Sequence, residues 1–77
     1  MEWEVLKQAI VNVLNVYPDE ITEDTTFMEE LGADSLDLYQ IVMEVEEKLE
    51  IQISADEVEG IRTAKEALEL LLKHTRG

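Results

Sequence analysis

The 77-residue sequence has no cysteine and a single histidine, His74. Disulfide staples are excluded, as is a Cys/His metal site of the usual spacing, so the fold must hold by packing alone. Proline occurs once and glycine three times, and no Pro/Ser/Gly-rich linker, internal repeat or low-complexity tract divides the chain. A single domain over residues 1–77 is expected, of modest stability because a domain this small buries only about 60% of its unfolded surface. Basic residues number 6 against 19 acidic ones, for a formal charge of −13. That balance argues against nucleic-acid partners, whose phosphates would be repelled, and favours basic protein surfaces. It also costs stability through self-repulsion, so added salt or divalent cations should strengthen the fold. No apolar run approaches the ~20 residues of a membrane span, and Met1-Glu2-Trp3-Glu4 opens with neither a basic nor an apolar leader. The expectation is a soluble, cytoplasmic protein without membrane insertion.

What is present is helical periodicity. Trp3, Leu6, Ile10, Val13 and Tyr17 recur at intervals of three and four, which predicts a first helix over residues 2–15, stopped by Pro18-Asp19. Residues 18–34 form the longest connection; Ile21, Phe27, Met28 and Leu31 should pin it to the core, and Thr26-x-x-Glu29 should cap a short turn. A second helix is predicted over 35–49, then an extended link at Ile51-Gln52-Ile53. Ser54-x-x-Glu57 is a capping box opening a brief third helix that contains Val58 and ends at or beside Gly60. Thr63-x-x-Glu66 is another, before Ala64, Ala67, Leu68, Leu71 and Leu72 at helical spacing. This last helix should end near His74, with Arg76-Gly77 frayed. Three longer helices and one short third helix make an all-α fold, a small four-helix bundle with a long loop between the first two.

The stretch Leu31-Gly32-Ala33-Asp34-Ser35-Leu36-Asp37 sits where the second helix begins. Gly32 and Ala33 let the backbone turn, Asp34 suits the N-cap with Asp37 three residues on, and both charges favour the positive end of the helix dipole. Ser35 is thereby placed at the mouth of the helix. Further along, Leu38, Val42, Val45 and Leu49 fall on one stripe and Leu36, Tyr39 and Met43 on another, with Glu46 between them. A central helix touching two neighbours would bury both. Alternatively, Leu36, Tyr39 and Met43 remain as an exposed anchor row, rimmed by Asp37, Glu44, Glu47 and Glu50, for a partner with an apolar groove and basic margins.

The Gly32-x-Asp34-Ser35-Leu36 motif, and the likeness of nearly the whole chain around it, resemble the acyl carrier proteins. The resemblance implies that Ser35 carries 4′-phosphopantetheine, taken from coenzyme A by a Mg²⁺-dependent phosphopantetheinyl transferase and supported by Asp34. Acyl intermediates of fatty acid biosynthesis would ride on the arm as thioesters. It further implies that the second helix is the recognition helix. Leu36, Tyr39 and Met43 would be its apolar anchors and Asp37, Glu46 and Glu47 among its acidic contacts, meeting acyl-transfer and chain-elongation enzymes through basic docking patches. Such a phosphoprotein of lipid metabolism is a monomer, since its docking helix must stay free. Val42, Val45, Leu49, Ile53, Val58, Ile61, Ala64 and Leu68 could line a shelter for the acyl chain or an ordinary core. If they shelter it, loading should raise thermal stability.

Tyr39, Gln40 and Arg62 depart from the common fatty-acid pattern, which keeps open a specialised carrier for polyketide or another dedicated pathway. From a different class, the acidity also suits an unmodified adaptor for a basic protein. An enzyme is not expected: a serine nucleophile needs an oriented base and oxyanion donors, His74 is far along the chain as a partner for the last helix's negative end, and Gly-x-Ser-x-Gly is absent. No calcium-loop pattern occurs, and no metal site is expected.

Overall fold

The structure is a computed structural model and describes residues 2–76. Four α-helices run as α1 Glu2–Leu14, α2 Ser35–Leu49, α3 Ala55–Glu59 and α4 Ala64–Arg76, with a 3₁₀ turn at Pro18–Glu20. The all-α bundle with a short third helix is the architecture the periodicity predicts. Helix α1 packs on α2 and α4, and α3 packs on α2. Their common core joins Leu6 and Ile10 of α1, Ile41 and Val45 of α2, Val58 of α3 and Leu71 of α4 around Phe27.

Helix α1 turns Leu6, Ala9 and Ile10 inward. It ends at Leu14, one residue short of the expected bound, but Pro18 is not what stops it. Asn15 takes a left-handed conformation, φ 58°, while its N–H still reaches Val11 O at 2.9 Å; asparagine is among the few residues that tolerate this geometry at a helix end. Tyr17 is therefore off the helical face and 78% exposed. Pro18 instead opens the 3₁₀ turn, at the first helical position where a missing N–H costs nothing.

The long connection is pinned by Ile21 and Phe27, both buried, whereas Met28 points outward at 55% exposure. The buried Thr25 hydroxyl, which the sequence pattern does not reveal, accepts from Thr22 N at 2.9 Å. Thr26 pairs with Glu30 rather than Glu29. Both Glu30 N–H and Leu31 N–H return to Thr26 O at 3.2 Å, so this wider turn brings the carboxylate four residues on, not three, against Thr26 N at 2.9 Å. Glu29 faces Arg62 at 3.4 Å instead, on the surface.

A main-chain clasp joins this connection to the segment between α3 and α4. Phe27 N–H donates to Arg62 O at 3.0 Å, Ala64 N–H to Thr25 O at 2.9 Å and Lys65 N–H to Glu23 O at 2.8 Å, around an isolated antiparallel bridge between Thr26 and Thr63. The capping boxes at Ser54 and Thr63 form as the sequence predicts: Glu57 N–H donates to Ser54 Oγ and Glu66 N–H to Thr63 Oγ1, each at 3.2 Å. Glu66 also accepts from Arg62 N–H and Thr63 N–H, which hold its carboxyl below the ordinary range. Helix α4 continues past His74 to Arg76; of the pair expected to fray, Gly77 lies outside the described residues. His74 serves α3 rather than the end of its own helix: its Nε2 lies 3.1 Å from Glu57 Oε1.

Candidate functional site

The start of α2 is built by a division of labour between neighbouring residues. Asp34, in extended conformation at the N-cap, accepts Asp37 N–H at 2.9 Å, and Asp37 Oδ2 accepts Asp34 N–H in return at 3.3 Å. Because the aspartates satisfy each other, Ser35 at the first helical position is released from the capping role that serine usually fills at a helix start. Its side chain is exposed, and its Oγ makes no hydrogen bond among the described residues. The N–H groups of Ser35 and Leu36 are likewise without a protein partner there. They are the orphan donors of a helix N-terminus, disposed toward anything anionic attached at Oγ.

The approach to this hydroxyl is fixed from the other side. Ala33 is buried, with its N–H on Phe27 O at 2.9 Å. Gly32 makes the turn at φ 69°, and a Cβ there would meet nothing within 4 Å, so the position calls for glycine on conformation alone. Ser35 thus stands on a rigid helix end with open space before it. That arrangement leaves the hydroxyl within reach of another enzyme.

Of the other residues singled out in the sequence, Leu36 and Met43 are 74% and 58% exposed and share a face with the exposed Gln40 and Glu47. Asp37 is held in the capping box. Tyr39 is half-buried, and its hydroxyl donates to Glu59 Oε2 of α3 at 3.2 Å. Desolvation first, then the charge of Glu59, push its phenol pKa up. Glu46 is half-buried and turned away from Glu47; it accepts Ile53 N–H at 2.7 Å and so holds the link after α2. The helix therefore splits the two stripes: Leu38, Val42 and Val45 are buried, joined by Ile41, which neither stripe contained. Glu59, the partner of Tyr39, also escaped notice, since a side-chain pair twenty positions apart leaves no periodic signal.

With this geometry in view, comparison with known proteins is decisive. Residues 4–71 match the family of phosphopantetheine attachment sites. The chain belongs to the acyl carrier protein family. The carrier is similar to the acyl carrier protein of Sulfurovum sp., 47% identical over 86% of this chain and 88% of that one. It is 41% identical to that of Clostridium perfringens over 95% and 96% of the two chains. A solved structure described as an acyl carrier protein from Mycobacterium tuberculosis superposes with a TM-score of 0.87 at 26% identity, covering 95% of this chain and 97% of that chain. The carrier's covalent cofactor is thus 4′-phosphopantetheine, and the carrier serves acyl-handling enzymes. No helix among the described residues is long and apolar enough to cross a membrane.

Proposed function

We propose that Ser35 Oγ is the attachment point of 4′-phosphopantetheine, and that residues 1–77 act as one carrier domain, without catalysis of its own, for acyl intermediates of fatty acid biosynthesis. The observation that carries this reading is the exposed, unbonded hydroxyl at the first position of α2, freed by the Asp34–Asp37 box. When attached, the arm supplies the thiol that a cysteine-free chain lacks. Asp34 fixes the loop, and the Ser35 and Leu36 N–H groups face the phosphate. Leu36, Tyr39 and Met43, with Asp37, Glu46 and Glu47, form the face read by the phosphopantetheinyl transferase and by chain-elongation enzymes with basic patches. Glu46 contributes charge from its edge because one carboxylate oxygen is committed to Ile53. The carrier works as a cytoplasmic monomer.

The test is intact mass before and after incubation with coenzyme A, Mg²⁺ and a broad-specificity phosphopantetheinyl transferase, beside Ser35→Ala. One added phosphopantetheine in the parent and none in the variant is expected; a folded parent that gains nothing overturns the reading. A dedicated acyl pathway is the second reading, supported by the neutral Gln40 exposed on the docking face. Transfer of malonyl groups by a fatty-acid malonyltransferase separates the two.

A further inference from the structure

Ser35, Tyr39 and Met43 follow one another at intervals of four along α2, so they lie nearly in line on one side of it. The outer two are exposed, while Tyr39 packs against the core between them. Its bond to Glu59 is, among the described residues, the one side-chain hydrogen bond between the bodies of α2 and α3.

Helix α3 is moored unequally. On the α4 side Glu57 lies 3.1 Å from His74 Nε2 and 3.6 Å from Lys73 Nζ. On the α2 side the helix packs directly, its own polar contact is Tyr39 to Glu59 at 3.2 Å, and Ile53 N–H on Glu46 at 2.7 Å holds the link before it. The helix is only five residues long, between an extended link and Gly60. Breaking the Tyr39 bond would leave the α2–α3 seam over the buried Val58 and Ile61 closed by apolar packing and by Ile53 N–H on Glu46, with no side-chain tie between the two helix bodies among the described residues. An apolar chain on an arm rooted at Ser35 meets Tyr39 before it meets that core.

Resting on the assignment of Ser35 above, we propose that Tyr39 and Glu59 form a latch on the α2–α3 seam that sets how long an acyl chain must be before it enters the helical core. With the latch shut, a short chain stays in water. Each buried methylene favours entry about fourfold, and a hydrogen bond of this kind resists opening by about two- to tenfold. The latch is thus matched by about one to two methylenes. The raised phenol pKa keeps the donor proton in place at neutral pH.

The experiment compares the parent with Glu59→Ala, Tyr39→Phe, the double variant and Glu59→Gln. Without the arm, hydrogen exchange of the α3 amides is expected to quicken about two- to tenfold in Glu59→Ala and Tyr39→Phe. No further increase is expected in the double variant, and Glu59→Gln, whose amide oxygen still accepts, should restore most of the protection. After full loading with a series from acetyl to decanoyl, cleavage by hydroxylamine reports shelter of the thioester. Its slowing should begin about one to two carbons earlier in the variants lacking the bond. Unchanged exchange, an unchanged onset, or an onset moved to longer chains overturns the latch alone. A protein that accepts no arm at Ser35 overturns the carrier assignment and the latch with it.

Discussion

Asp34→Ala separates the cap of α2 from the hydroxyl it presents. The substitution removes the acceptor 2.9 Å from Asp37 N–H and orphans that donor, while the residue 34 N–H remains to donate to Asp37 Oδ2 at 3.3 Å. Loss of an N-cap costs about 1 kcal/mol, within a range of about 0.5–2. In a domain of this size each kcal/mol lowers Tm by about 4–8 °C. Removing one negative charge from a chain of net charge −13 offsets part of that loss. Asp34→Asn distinguishes the contributions, because its amide oxygen still accepts while the charge is gone; its Tm should stay within about 2 °C of the parent or exceed it. Ser35→Ala breaks no bond and is expected within about 0.5 kcal/mol of the parent, while taking up no arm. Differential scanning calorimetry of the three variants at one ionic strength, in the unmodified state, provides the comparison. If Asp34→Ala melts with the parent, or Ser35→Ala melts well below it, the division of labour between the two residues is wrong.

Phe27 is 1% exposed at the centre of the core. Phe27→Ala should cost about 3–5 kcal/mol of a total of about 4–12 expected for this length, visible as a collapsed urea midpoint; Met28→Ala, on the surface, should leave that midpoint in place. Glu57 has its pKa lowered from 4.5 to about 2, first by the Ser54 N–H and then by His74. A depressed carboxylate stabilises the fold above its unfolded pKa and loses that contribution as pH falls through the folded value. The stability difference between parent and Glu57→Gln should therefore shrink from about pH 4.5 down to about 2; a constant difference across urea titrations in that window would refute it. Raising salt from about 0.01 to 1 M shortens the screening length from about 30 to 3 Å, so Tm should rise; a flat or falling trend contradicts self-repulsion as a cost.

The elements most legible in the sequence were those whose cause is local. The capping residues Asp34, Ser54 and Thr63 each sit beside the N–H groups they satisfy, and their helices begin where those residues stand. Ser35 was legible for the same reason. The end of α1 was placed to within one residue but for the wrong cause: the left-handed Asn15 stops the helix, and the proline that drew attention only begins the next turn. Splitting α2 into stripes separated Leu38 from Tyr39 but passed over Ile41, which is buried on the flank of the Leu38 stripe away from Tyr39. Tertiary partners were least legible. Glu46 on Ile53, Glu59 on Tyr39 and Glu57 on His74 each use a carboxylate that looks, in a chain this acidic, like any other surface charge.

The clasp between the long connection and the α3–α4 segment has an evolutionary side. Its donors and acceptors are all main chain, and they tie together positions separated by about half the sequence. The exposed side chains at Glu23, Arg62 and Lys65 can change without breaking it, so the seam tolerates sequence change while holding the loop that leads to Ser35. Its weakness is confined to one amino acid. Ala64 is the first residue of α4, a position where proline is ordinarily welcome; here its N–H is committed to Thr25 O, and proline at Ala64, Phe27 or Lys65 would unfasten the fold's two halves at a place where nothing in the local sequence warns against it.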